Sequence, residues 1–253
     1  MRLKIELISD DNVILPVGFN SNIQALIYNF LDKVDSNWLH ESGYKFEKRS
    51  FKLFNFSSIL EHGKYLRDKK LFIFPHNVSF YVSSPLEWIL EQLAKNSIKS
   101  ETVRLGNNVM RLNSINVMKP IKFDSDEAIV SAMTPIEVHS TFQKEDGKKL
   151  TYYYSPYEEE FTGLINANLR KKWTALFKRE CDYDIMIKPL FSGNGNERIV
   201  YFGTGKNKTV IKGWKGRFKV KGHPEFLAFA YDAGLGSRNS QGFGMVEIMR
   251  RKT

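Results

Sequence analysis

Four of the chain's 17 glycines, Gly234, Gly236, Gly242 and Gly244, fall between Ala233 and Val246 in the stretch AGLGSRNSQGFGMV. Glycine reaches positive φ without steric cost, and its missing side chain lets backbone N–H groups approach an anion. Ser237, Asn239, Ser240 and Gln241 add neutral hydrogen-bonding groups, and Arg238 adds a planar, permanently charged fork suited to phosphate. These residue types would make a phosphate cradle. An ordinary glycine-rich turn is the competing reading.

A second stretch points to the same chemistry. From Arg198 to Pro224 there is no acidic residue and there are eight Lys or Arg, Lys212 among them. Lys215, Arg217, Lys219 and Lys221 fall on alternate positions around Phe218 and Val220, so a strand would present all four charges on one face. Nearby Trp214 offers a surface on which a base could stack. Lysines that guard an exposed sheet edge would look the same. The whole chain carries 38 Lys and Arg against 28 Asp and Glu, a net charge of +10 that favours polyanionic partners.

Other motifs carry less. FGTGKNKT (202–209) lacks the Walker glycine and has Asn207 after Lys206, so it reads as a hairpin turn. FDSDE (123–127) has carboxylates but no partner histidine and reads as a solvated loop. QGFGMVEI (241–248) matches the RNP1 strand at Gly242, Phe243, Gly244 and Val246, but lacks its first basic residue and two of its aromatics. The single Cys181 cannot pair within the chain, the five histidines are scattered, and neither CxxC nor HExxH occurs, so no metal site or cofactor is expected. The N-terminus lacks a signal-peptide pattern and no stretch reaches membrane-spanning length, which favours a soluble, cytoplasmic protein.

The elements that must position these residues follow from periodicity. Leu3, Ile5 and Leu7 alternate as in a half-buried strand. Ser21 to Gln24 has capping-box spacing ahead of a helix whose stripe is Ile23, Leu26, Ile27, Phe30, Leu31 and Val34, with Tyr28 off that stripe. Trp38 and Leu39 are apolar anchors before His40, and the following loop carries Lys45, Lys48 and Arg49 ahead of a strand at 51–56. LFIF (71–74) and VSFYV (78–82) read as a hairpin, followed by a helix with Ser84 as N-cap, Pro85 at its first position and Glu87 completing the box. A strand region at 103–118 completes a β-α-β-β-α-β order, the ferredoxin-like unit. Polar composition at 119–127 marks a boundary. Beyond it a long helix at 157–179, an apolar helix opened by Pro224 and several strands repeat that order. The predicted fold is α+β, tandem ferredoxin-like (RRM-like) domains over residues 1–120 and 121–253.

LIYNFL around Tyr28, WLH ending at His40, FKLFNFS from Phe51, and the glycine cluster between an apolar helix and GFGMVEI together resemble the CRISPR-associated repeat-processing endoribonucleases, the sixth Cas protein of the RAMP superfamily. The resemblance implies a metal-independent cut of CRISPR precursor RNA, in which the 2′-hydroxyl attacks and leaves a 2′,3′-cyclic phosphate and a 5′-hydroxyl. It places Tyr28, His40 and Lys52 at the catalytic positions. Such a reaction needs a proton acceptor, a proton donor and a fixed cation. Histidine suits either proton role. Tyrosine, with a reference pKa near 10, suits orientation better than base catalysis. Lys52 is the implied stabilising cation, with Lys45 and Lys48 as alternatives. The basic loop, the alternating cations and the glycine stretch become RNA-binding candidates. Implied partners are CRISPR repeat RNA, as precursor and processed guide, with a CRISPR effector complex and a homodimer as further options. A non-catalytic RAMP subunit that holds guide RNA and a general single-strand RNA-binding protein are the competing functions.

Overall fold

The alternation of Leu3, Ile5 and Leu7 builds β1 (Arg2–Ile8), which buries all three aliphatics while Lys4 and Glu6 pair on its other face. The computed structural model describes residues 1–143, 145, 147–202 and 209–249. After β1 come β2 (Val13–Pro16), α1 (Asn20–Asn29), α2 (Lys33–Glu41), β3 (Tyr44–Phe46), β4 (Arg49–Phe51) and β5 (Asn55–Phe56). Then follow β6 (Lys64–Leu66), β7 (Leu71–Phe74), β8 (Asn77–Ser83), α3 (Glu87–Lys99), β9 (Val103–Leu105) and β10 (Asn108–Met118). One antiparallel sheet runs β5-β8-β1-β10-β9, with Ile5 opposite Phe80 on one side and Ile115 on the other. Buried Ile23, Leu26 and Ile27 of α1 and Ile89, Leu90 and Leu93 of α3 share its core.

The second half comprises β11 (Glu127–Ala132), β12 (His139–Gln143), β13 (Lys149–Tyr153), α4 (Glu159–Phe177) and β14 (Ile185–Pro189). It continues with β15 (Glu197–Phe202), β16 (Thr209–Trp214), β17 (Arg217–Gly222), α5 (Pro224–Ala233) and β18 (Val246–Ile248). Its antiparallel sheet runs β14-β17-β11-β18. Numbered within each half, the main strands around the helices stand in the same spatial order: second, third, first, fourth. Phe218 and Val220 face a core shared with Phe161, Ile165, Leu169 and Trp173 of α4 and with Phe226 and Ala230 of α5. No helix among the described residues is long and apolar enough to cross a membrane.

Several local expectations are corrected. The predicted first helix is two helices, and Val34, placed on the buried stripe, is exposed at the start of α2. The capping boxes do not form: Gln24 reaches away to the Ser240 carbonyl, while Ser84 accepts from the Leu86 N–H and donates to the Leu53 carbonyl. LFIF and VSFYV do not pair with each other, because β7 joins β2 and β6 whereas β8 joins β1 and β5. The strand at 51–56 is broken at Leu53, whose φ of 52° turns the chain from the β3–β4 hairpin into the main sheet. The turn at 203–208 lies outside the described residues.

The halves are pinned by polar contacts. Buried Arg2 donates to Glu247 at 2.6 Å and to the Val246 carbonyl at 2.9 Å, and stacks 4.1 Å over the Tyr231 ring. Asn55 donates to the Asp232 carbonyl at 3.0 Å. Asn20 and Gln24 of α1 donate to the carbonyls of Gln241 and Ser240. The first helix is thereby fixed directly to the glycine-rich stretch.

Candidate active site

Tyr28 lies near the end of α1 and His40 on the last turn of α2, and the turn between the helices folds them together. The Tyr28 ring meets His40 edge-on at 5.4 Å and Phe54 at 5.6 Å. His40 is exposed, whereas Tyr28 is half-buried, and burial pushes its phenol up to about 12. Lys52 follows β4; its ammonium donates to the His40 carbonyl at 2.7 Å and to the Ser50 hydroxyl at 3.2 Å. A cation at the carbonyl end of α2 also complements the helix dipole. Partial burial lowers the Lys52 pKa. The structure thus brings Tyr28, His40 and Lys52 into one neighbourhood, while Lys45 and Lys48 point into solvent on the β3–β4 hairpin.

Lys52 opens onto a cleft of about 360 Å³ between the halves. Arg49, Ser50 and Phe51 to Phe54 line one wall; His139, Asn168, Lys172, Ala233, Ser237, Arg238, Asn239 and Ser240 line the other. The described lining carries four Lys or Arg side chains and no carboxylate. Such a cleft favours an anion, and its low-dielectric walls strengthen that preference.

The glycine-rich stretch forms part of the far wall. The amides of Gly234, Leu235, Ser237, Gln241, Gly242 and Gly244 all donate to main-chain carbonyls of this chain, so they are not free for phosphate. The glycines instead allow close packing. A Cβ at Gly244 would lie 1.9 Å from the Leu235 carbonyl oxygen, and one at Gly236 would lie 2.3 Å from that of Glu137. Ser237, Arg238, Asn239 and Ser240 line the cleft, with Arg238 held at φ 55° ahead of a short 3-10 turn and the Asn239 side chain committed to Lys172 and to the Leu235 and Phe243 carbonyls. Gln241 meets Arg238 at 3.4 Å.

Beneath this stretch lies a residue that sequence reading missed. Lys172 of α4 is buried, and its ammonium donates to the carbonyls of Gly234 (2.9 Å) and Gly236 (3.1 Å) and to the Asn239 side chain (2.6 Å). Burial lowers its pKa to about 7. Its position three residues after core Leu169 and seven after Ile165 was the available signal: a lysine on the apolar stripe of a helix.

The basic strand also differs from expectation. Trp214 is buried at 5% exposure, edge-on to Tyr157 at 6.1 Å, and so cannot stack on a base. Lys215 precedes β17, is half-buried and lines a separate cleft with Arg198 and Tyr201, leaving a rail of three cations. Two of these are partly neutralised, because Lys219 pairs with Glu127 at 2.7 Å and Lys221 with Asp126 at 3.4 Å. Asp126 and Glu127 of FDSDE are therefore ion-pair partners rather than free loop charges. Lys212 pairs with Glu197 at 3.4 Å. None of these strand cations lines the cleft that holds Lys52.

Fold and cleft together define a protein of mixed helices and two similarly ordered antiparallel sheets with a cation-lined cleft between its halves. The chain belongs to the Cas6 family: the family described as CRISPR associated protein Cas6, C-terminal, matches residues 118–248. It is 26% identical over 97% of its length to the CRISPR-associated endoribonuclease Cas6 1 of Methanocaldococcus jannaschii, covering 92% of that protein. It is 28% identical over its full length to the CRISPR-associated endoribonuclease Cas6 of Pyrococcus furiosus, again covering 92%. A solved structure titled "An RAMP protein binding different RNA substrates" superposes with a TM-score of 0.79 over 99% of this chain and all of that one, at 23% identity.

Proposed function

We propose that this chain is a cytoplasmic endoribonuclease that cuts CRISPR precursor RNA within its repeats and releases guide RNAs. The observation that carries the reading is the juxtaposition of His40, Tyr28 and Lys52, the last of which opens onto a cation-lined cleft. Relatives named as CRISPR-associated endoribonucleases support the same reaction. The 2′-hydroxyl oxygen attacks the adjacent phosphorus, the bond from phosphorus to the 5′-oxygen breaks, and a 2′,3′-cyclic phosphate and a 5′-hydroxyl result. The hydroxyl proton must leave and the departing oxygen must gain one. His40 serves as the general acid or base. Lys52 stabilises the charge on the non-bridging oxygens. Tyr28, kept neutral by its raised pKa, donates a hydrogen bond that orients the phosphate or the 2′-hydroxyl. Arg49 and Arg238 hold the RNA from opposite walls.

The same reading divides the chain into tandem ferredoxin-like domains with a boundary near residue 120. The shared strand order and the two separate cores, one from Leu3 to Met110 and one from Val130 to Val246, support this division.

The test is incubation with CRISPR repeat RNA in EDTA, beside a substrate carrying one 2′-deoxy substitution at the cut site. Cleavage of the first and survival of the second are expected. Intact all-ribose substrate would leave a non-catalytic RNA-holding protein as the function, and cleavage of the deoxy substrate would remove the 2′-hydroxyl as nucleophile.

A further inference from the structure

The far wall of the cleft carries a cluster that the proposed chemistry does not use. Glu137, which precedes β12, is fully buried. Its Oε1 accepts a hydrogen bond from Nδ1 of His139 and lies 3.8 Å from Nε of Arg238, while its Oε2 is buried without a partner. The Glu137 backbone is fixed as well: its carbonyl accepts from the Ser237 N–H at 2.8 Å, and it bridges to Gly236. Burying an unpaired carboxylate costs several kcal/mol, so this placement is sustained by the two flanking groups. The hydrogen bond made by one ring nitrogen of histidine determines what the other is free to do. With Nδ1–H donated to the Glu137 carboxylate, the ring as imidazolium, its charge balanced by that carboxylate, donates from Nε2 to a ligand.

His139 stands where two clefts meet. It lines the 360 Å³ cleft beside Lys52 and also a neighbouring cleft of about 460 Å³ that contains Lys171, Ser140 and Phe142. Arg49, Asn168 and Ser237 line both, and neither described lining contains a carboxylate. An extended anion threading the first cleft therefore meets His139 and Arg49 as it enters the second.

We propose that His139, aligned by buried Glu137, is a ligand for a backbone phosphate of the RNA strand adjoining the scissile phosphate. This rests on the ribonuclease reading above. The ligand is a phosphodiester oxygen, and His139 is a binding residue that takes no part in bond cleavage.

The test is a methylphosphonate scan of repeat RNA blocked by 2′-deoxy substitution at the cut site, with affinities measured for the wild type and His139→Ala. Each methylphosphonate removes one phosphate charge. At one position next to the cut site, neutralisation should weaken wild-type binding roughly tenfold, as expected for a charge-assisted hydrogen bond, and leave His139→Ala binding unchanged. Equal losses for both proteins at every position would overturn the proposal while leaving the ribonuclease reading intact. Failure of the wild type to bind or cut repeat RNA would overturn both. Should His139→Ala not fold, the scan is run on His139→Gln, and failure of both variants to fold would make the ring a structural support for Glu137 and overturn its role as ligand.

Discussion

The ammonium of Lys52 sits 2.7 Å from the main-chain carbonyl oxygen of His40. The cation and the imidazole come from different elements, and this bond holds the ammonium against the His40 backbone while leaving the imidazole free to turn about its own side-chain torsions. Lys52→Ala should therefore lower single-turnover cleavage by about 10²–10³-fold, the usual cost of one transition-state donor, with RNA affinity falling only roughly threefold. Lys52→Arg should recover little, because a planar fork does not replace a point charge held by one carbonyl. Equal losses in rate and affinity would make Lys52 a binding residue.

His40, exposed beside Tyr28, has room to approach a substrate oxygen. His40→Ala should slow cleavage by about 10²–10⁴-fold at nearly unchanged affinity. A collapse of affinity in a filter-binding assay would instead assign His40 to binding.

Tyr28 makes a sharper distinction, because its phenol is pushed up to about 12 by burial and so stays protonated at any pH the enzyme meets. A neutral phenol donates a hydrogen bond but does not accept the nucleophile's proton. Tyr28→Phe should then cost only about 3–10-fold in rate, the worth of one hydrogen bond. Its pH–rate profile should keep the wild-type shape from about pH 6 to pH 10. An alkaline limb present in the wild type and absent from Tyr28→Phe would show that a phenolate acts as base.

What sequence could reveal here was governed by how local each cause is. Leu3, Ile5 and Leu7 alternate because one strand has one buried face, and Pro224 opens α5 because its fixed φ suits a first helical turn, so both were legible. The partners of β7 were not, because neighbouring strands in sequence were assigned to different sheets by packing elsewhere. Trp214 illustrates a second limit: it ends a basic strand, but it belongs to the core beside Tyr157, and an aromatic side chain does not announce which side of a sheet it faces. The glycine stretch was recognised as important for a reason that proved incomplete. Six of its amides serve the fold, and the stretch is held in place from below by Lys172.

Lys172 supplies a stability prediction with a definite sign. Its native pKa is lowered to about 7 from an ordinary 10.5, so above about pH 7 the unfolded chain holds this proton and the native protein releases it. Stability rises with pH wherever the unfolded state binds more protons. The wild type should accordingly gain stability relative to Lys172→Met as pH climbs from about 7 to about 10. At every pH the methionine variant should be less stable, since the acceptors at Gly234, Gly236 and Asn239 lose the three N–H donors of the ammonium below about pH 7 and the two of the amine above it. Denaturant titrations of both proteins at several pH values check this, and a flat difference would show that Lys172 keeps its proton throughout.

A pair of glycine substitutions separates the two uses of glycine in this fold. Gly244 has φ 76°, and a Cβ there would meet the Leu235 carbonyl oxygen at 1.9 Å, a contact that backbone must move to relieve. Leu235 and Gly244 also share a hydrogen bond from the Leu235 N–H to the Gly244 carbonyl at 2.9 Å, so that movement would displace the stretch carrying Arg238. Gly244→Ala should cost about 4 kcal/mol or more, since strain and a lost backbone bond act together. Gly163 lies inside α4 with nothing within 4 Å of its would-be Cβ, and there alanine only removes unfolded-state freedom. Gly163→Ala should stabilise the protein by about 0.5–1 kcal/mol and raise Tm by roughly 1–4 °C in thermal unfolding. The RNA affinity of Gly163→Ala should match the wild type, whereas Gly244→Ala should lose affinity even at temperatures where it remains folded, because the arginine and hydroxyls of the far wall would no longer face Lys52.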